Sequence, residues 1–127
     1  MIEKYLSLPY VDYGRDMSGC DCWGLVRLVR RELRGDVWPL YGGIHPDAKR
    51  ALTRATQEFT GTLREVQAPA EGALVTTWRG VLCLHVGVVV KCDGRLGVLE
   101  TGRQMGVRWL SMGDFKRRYL TVRFHDN

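Results

Sequence analysis

The chain has 127 residues, 45% of them hydrophobic, enough for one compact domain (residues 1–127) and too few for two ordinary ones. Nineteen Lys and Arg against fourteen Asp and Glu give a net charge of +5; no recognised nucleic-acid motif accompanies it, so the excess reads as solvated faces or contacts to an acidic partner. The longest apolar run, 81–90, is broken by His85 and Gly87 and falls short of the ~20 residues of a membrane helix, and the first residues lack the basic start and long apolar core of an export signal.

Residues 1–8 read as a short helix or turn leading to Pro9-Tyr10, and 11–19 as a loop punctuated by Gly and Asp. A strongly amphipathic helix follows. From Cys22 onward Leu25, Val26, Leu28, Val29 and Leu33 share one face, while Arg27, Arg30, Arg31 and Arg34 fall mostly on the other. Asp21 suits the N-cap and Gly35 the left-handed position past the end. Cys22 therefore falls in the first turn, where free amides and the positive end of the helix dipole favour a thiolate. The competing reading is a small buried hydrophobe. Tyr10, twelve residues earlier, is close enough for its hydroxyl to fold back over the thiol.

Residues 35–46, rich in Gly, Pro, Trp and Tyr, form an irregular segment over the core. The spacing of Ala48, Leu52, Ala55 and Phe59 predicts a second helix over 47–58, and 63–71 is a connection. From residue 73 β-branched residues dominate, with strands expected at 73–78, 81–91, 96–100, 107–110 and 119–124, and Cys92-Asp93-Gly94 as a tight turn. Helices first and a meandering antiparallel sheet afterwards describe an α+β domain, with the cysteine helix packed on the sheet.

Alternation along the second strand puts Leu82, Leu84, Val86, Val88 and Val90 on one face and Cys83, His85, Gly87 and Val89 on the other. Gly87 then clears room beside His85 for a thiol and a substrate. Across the next hairpin Glu100 can reach His85, fixing its tautomer and stabilising the imidazolium. The alternatives are a core or surface histidine and a solvated glutamate. With Cys20, Cys83 and Cys92 the chain has four cysteines. Without an export signal they read as free thiols, and their spacing lacks the short gap of structural zinc sites.

The blocks Pro9-Tyr10, Gly19-Cys20-Asp21-Cys22-Trp23-Gly24-Leu25-Val26, Glu71-Gly72-Ala73-Leu74-Val75, His85-Val86-Gly87-Val88 and Val98-Leu99-Glu100 resemble, in this order, the NlpC family of papain-like cysteine peptidases. The tryptophan after the cysteine is similar to the branch found in tailed-phage tail proteins. The resemblance implies a papain-like α+β fold, with Cys22 as nucleophile, His85 as base and later acid, Glu100 as orienter and Tyr10 near the oxyanion. Glu100 stands where the family commonly has histidine, and Ala73 where an acidic residue is usual. It further implies hydrolysis of amide bonds in peptidoglycan stem peptides without cofactor or metal. The setting it implies is a virion tail tip among other tail-tip or hub proteins, assembled in the host cytoplasm and acting in the periplasm or cell wall. The alternative is a structural tail-tip or assembly protein that keeps the fold and hydrolyses little; a third class is an acyl transferase or amidase on a small substrate.

Overall fold

The computed structural model describes residues 2–127; Met1, where the first predicted turn begins, lies outside the described residues. In chain order the elements are α1 (Glu3–Leu6), β1 (Arg15–Asp16), β2 (Gly19–Cys20), α2 (Cys22–Arg34), α3 (Lys49–Thr60), β3 (Arg64–Val66), β4 (Leu74–Arg79), β5 (Leu82–Cys92), β6 (Arg95–Gly102), β7 (Gly106–Ser111), α4 (Met112–Arg118) and β8 (Thr121–Asp126).

The cysteine helix begins and ends where its capping residues put it. The Asp21 carboxylate accepts from the Gly24 amide at 2.9 Å, and Gly35 takes a left-handed φ of 76°. Gly24 is required by proximity, since a Cβ there would lie 2.1 Å from the Gly14 carbonyl oxygen. The first turn is thus pressed against the loop before it. Cys22, Leu25, Val26 and Val29 are buried, with Leu28 and Leu33 half-buried at the margin. Arg30 corrects the expected polar face, for it is fully buried. Its position, eight residues after Cys22 and four after Val26, places it at the edge of the apolar stripe. The guanidinium is satisfied there by Asp36, by Asp126 at 2.9 Å and by the Gly72 carbonyl at 3.0 Å, and it lies 4.4 Å from the Trp38 ring.

Six strands form one antiparallel sheet in the order β3-β8-β4-β5-β6-β7, and β1 and β2 form a small second sheet. The chain is therefore α+β, and its central strands make the expected meander. The Asp93-Gly94 turn, with φ of 51° and 78°, closes the β5–β6 hairpin opposite the Cys92–Arg95 pair. Four elements exceed the sequence reading. The connection at 63–71 contains edge strand β3, the loop before α2 contains the β1–β2 pair, and the residues before the last strand form α4. Helix α4 is capped by Ser111, which accepts from the Asp114 amide, and has Lys116, Arg117 and Arg118 in its last turn. It buries Phe115 among Val75, Val89, Val98 and Phe124, covering the sheet face opposite α2 and α3.

Strand β5 is not a simple alternation. Thr77 pairs with His85 but Trp78 with Cys83, so Leu84 is an extra residue in a β-bulge. The bulge moves Cys83 into the main core with Val86, Val88 and Val90, correcting the expected grouping of Cys83 with His85. Thr53 of α3 fixes the bend: its hydroxyl donates to the Lys49 carbonyl at 2.7 Å and accepts from the Cys83 amide at 2.8 Å. Trp23 anchors the irregular segment after α2, donating from Nε1 to the Pro39 carbonyl at 2.9 Å and stacking on Trp38 with Phe59 edge-on.

Candidate active site

The cap at Asp21 sets Cys22 in the first turn of α2, and the bulge at Leu84 sets His85 just beyond it on β5. The two side chains face one cleft, close enough for the thiol to act on the charge of the ring. His85 also meets Glu100 of β6, with Nε2 2.9 Å from Oε1, so Nδ1 is the ring nitrogen not taken by the carboxylate. Cys22, His85 and Glu100 thus form a chain from helix to sheet interior.

Glu100 is fully buried, and both its oxygens are engaged. Tyr119, just past α4, donates to Oε1 at 2.6 Å, and Arg108 of β7 donates from Nε to Oε2 at 2.9 Å. The Arg108 Nη2 lies 2.8 Å from Oε2 in an ion contact without hydrogen-bond alignment. Burial alone would raise the Glu100 pKa. The bonds from His85, Tyr119 and Arg108, with the His85 charge, hold it below the usual carboxylate value. For His85, burial opposes the charged ring, but its interactions with Cys22 first and then Glu100 outweigh it, pushing the pKa up to about 9. The ring also stacks on Tyr119 at 5.8 Å.

Tyr10 reaches the same place through a bridge to Cys20 that lays residues 9–11 alongside β2. Burial first, then the nearby Cys22 charge, raise its phenol pKa above the ordinary value. Tyr10, Cys22, His85, Lys49, Thr101 and Arg103 line a cleft of about 140 Å³. A second, mostly apolar pocket of about 30 Å³ is lined by Cys22, Trp23, Leu52, Phe59 and Val86.

Two of the other cysteines, Cys20 and Cys83, are buried. Burial, followed by the Asp21 charge, pushes the Cys20 thiol up to about 12, and burial likewise raises Cys83, so both are held as thiols. Among the described residues, no group of three or more His, Cys, Asp or Glu is arranged to hold a metal ion, and no helix is long and apolar enough to cross a membrane.

All four residues singled out in the sequence, Cys22, His85, Glu100 and Tyr10, meet in or behind this cleft. Gly87 has a different role from the one expected. A Cβ there would lie 2.8 Å from Val98 Cγ1 and 3.1 Å from the Leu99 carbonyl oxygen, so its missing side chain lets β6 approach rather than clearing room for a substrate. Arg108 and Tyr119 were missed. Arg108 was accessible from hairpin register, since it pairs directly with Glu100 across the 103–105 turn. Tyr119 depends on α4, for which the sequence offered only the Ser111 cap and the basic last turn. A scan against models of known families and a search of curated proteins each return no match.

Proposed function

We propose that this chain is a papain-like cysteine peptidase of the NlpC type that hydrolyses amide bonds in peptidoglycan stem peptides. The observation that carries the reading is the relay of Cys22, His85 and Glu100, with the nucleophile at a helix N-terminus, the base between it and a buried ionised carboxylate. The Cys22 thiolate attacks the amide carbonyl. The tetrahedral oxyanion is received by the Cys22 backbone amide, one of the first-turn donors without an intrahelical partner, and by the Tyr10 hydroxyl. His85 gives its proton to the leaving amine and the thioester forms. Water, deprotonated by His85, then attacks the thioester and the thiolate is regenerated. Throughout, Glu100 holds the ring in place and stabilises its charged form.

The placement we propose is a phage tail tip, opening the cell wall during DNA entry. It rests on the resemblance at Trp23, and the basic surface suits an anionic wall. The test is digestion of purified Gram-negative peptidoglycan by the wild type and by Cys22→Ala, with mass spectrometry of the released fragments. Cleavage within the stem peptide by the wild type alone supports the peptidase. Absence of cleavage by both folded proteins, alone and with the tail proteins they assemble with, points to the structural tail-tip role.

A further inference from the structure

We propose that Arg103 is a positioning residue for Tyr10: it holds the phenol ring in the cleft that Cys22 shares, so that the hydroxyl meets the oxyanion formed when the thiolate attacks a carbonyl. The inference rests on the peptidase reading of that cleft. Backbone pairing fixes only the path of the Tyr10 segment, through bonds from the Val11 amide to the Cys20 carbonyl and from the Cys20 amide to the Pro9 carbonyl, each at 3.1 Å. The side chain has no tether of its own, because among the described residues the Tyr10 hydroxyl makes no hydrogen bond. The hydroxyl is therefore open to an incoming oxygen, and the direction of the ring is left to its neighbours.

Arg103 supplies the restraint. Its guanidinium carbon lies 5.6 Å from the centroid of the Tyr10 ring, within cation–π range. The guanidinium is pinned there by two carboxylates, Nη2 donating to Asp12 Oδ1 at 2.9 Å and Nη1 to Asp47 Oδ2 at 3.0 Å. Asp12 follows Tyr10 by two residues and Asp47 precedes α3 by two, so one side chain ties the loop that carries Tyr10 to the segment entering α3. His45 completes the bracket. Its Nδ1 accepts from the Asp47 amide at 3.1 Å, which leaves Nε2, 3.1 Å from Asp12 Oδ2, to donate to that carboxylate. Only the planar fork of arginine reaches two carboxylates while lying over a ring. Burial raises the Tyr10 phenol pKa, and the Arg103 charge works against that rise, which favours the hydroxyl as a donor to an anion. Arg103 directly follows β6, the strand that carries Glu100, so a single strand orients the base and sets the oxyanion donor.

The test compares two reactions of Cys22 and does not require a peptidoglycan substrate. Acylation by p-nitrophenyl acetate passes through a tetrahedral oxyanion: the thiolate adds to the ester carbonyl, and collapse breaks the C–O bond and releases p-nitrophenolate. Alkylation by iodoacetamide forms a C–S bond with loss of iodide and has no oxyanion. Initial rates of both are followed at Cys22 by mass spectrometry, with Cys22→Ala as the blank. Their ratio reports oxyanion stabilisation and cancels changes in the amount of thiolate. It is expected to fall about tenfold or more in Tyr10→Phe and about three- to tenfold in Arg103→Met, with no further fall when Arg103→Met is added to Tyr10→Phe. An unchanged ratio in Arg103→Met overturns the proposal, and parallel losses of both rates do so as well, since they report only a structural role. An equal fall on the Tyr10→Phe background also overturns it, because Arg103 then acts independently of Tyr10. A wild-type ratio in Tyr10→Phe removes Tyr10 from the oxyanion, and the proposal with it. Digestion of peptidoglycan is read separately: no cleavage by a wild type that shows the expected ratios counts against the stem-peptide substrate, and the ratios still decide the role of Arg103.

Discussion

Tyr119 donates to the Glu100 oxygen that His85 also engages, at 2.6 Å and 2.9 Å, so a residue at the end of α4 helps orient the base of the candidate site. With Arg108 on the other oxygen, Glu100 faces donors on both sides and only a carboxylate satisfies all of them. Glu100→Gln sets an amide N–H₂ against one of these donors and leaves Arg108 uncompensated. Its kcat/KM should fall roughly 10²- to 10⁴-fold, with a lowered melting temperature. Tyr119→Phe keeps the carboxylate and the stacked ring, so it should cost about 1–2 kcal/mol of stability and less than tenfold in rate. Steady-state kinetics and thermal melts of the two variants check this; Glu100→Gln within twofold of wild type would remove Glu100 from the mechanism.

The raised His85 pKa gives a pH dependence of definite sign. In the proposed mechanism the leaving amine needs a protonated imidazole, so kcat/KM should fall on the alkaline side with a midpoint near pH 9. In Glu100→Gln that limb should move to lower pH, because a group favouring the charged ring is gone. Stability follows the same proton. A folded-state pKa above the unfolded value of about 6.5 contributes fully below that value, and the contribution is lost as pH rises through about 9. Urea melts between pH 6 and pH 9.5 should therefore show the wild type losing more stability than His85→Gln. Equal losses would contradict the coupling.

What the sequence disclosed and what it hid divide along a physical line. Asp21, Gly35 and the Asp93-Gly94 turn act through neighbours a few residues away, and their effects were legible as caps and turns. The candidate site was legible because each member sits at a marked place: Cys22 behind a cap, His85 on a strand, Glu100 across a hairpin. Arg30 was misread because its partners Asp126 and Gly72 are 96 and 42 residues away, and nothing local signals them. The bulge at Leu84 was hidden for a similar reason. It is stabilised by Thr53 and Lys49 of α3, so strict alternation misplaced Cys83.

Gly87 offers a test of how closely β5 and β6 must approach. In Gly87→Ala the new methyl meets Val98 Cγ1 at 2.8 Å and the Leu99 carbonyl oxygen at 3.1 Å, and lies 3.7 Å from Glu100 Cβ. The backbone carbonyl cannot swing aside as a side chain can, so β6 must shift at the residue that orients His85. Overpacking of this kind costs about 1–3 kcal/mol. Because the displacement falls at Glu100, the loss of activity should exceed that of Val89→Ala, a variant in the same strand that opens a cavity instead. Comparable activities at matched stability would show that strand approach is not limiting.

Arg30 ties the far end of the cysteine helix to the sheet. It bonds Asp126 on β8, the Gly72 carbonyl before β4 and Asp36 after the helix, and it stacks on Trp38. Removing one member of a buried ion pair leaves its partners without compensation, which costs about 3–5 kcal/mol. Arg30→Ala should therefore lower the melting temperature by more than about 10 °C. Arg30→Met together with Asp126→Asn removes charge from both sides and fills the space, so it should recover much of the loss. Because the pair lies at the opposite end of α2 from Cys22, the double variant, once folded, should keep a near wild-type rate of Cys22 alkylation. Thermal melts with alkylation kinetics read both effects. A stable but unreactive double variant would mean that the anchor at Arg30 also sets the position of the thiol.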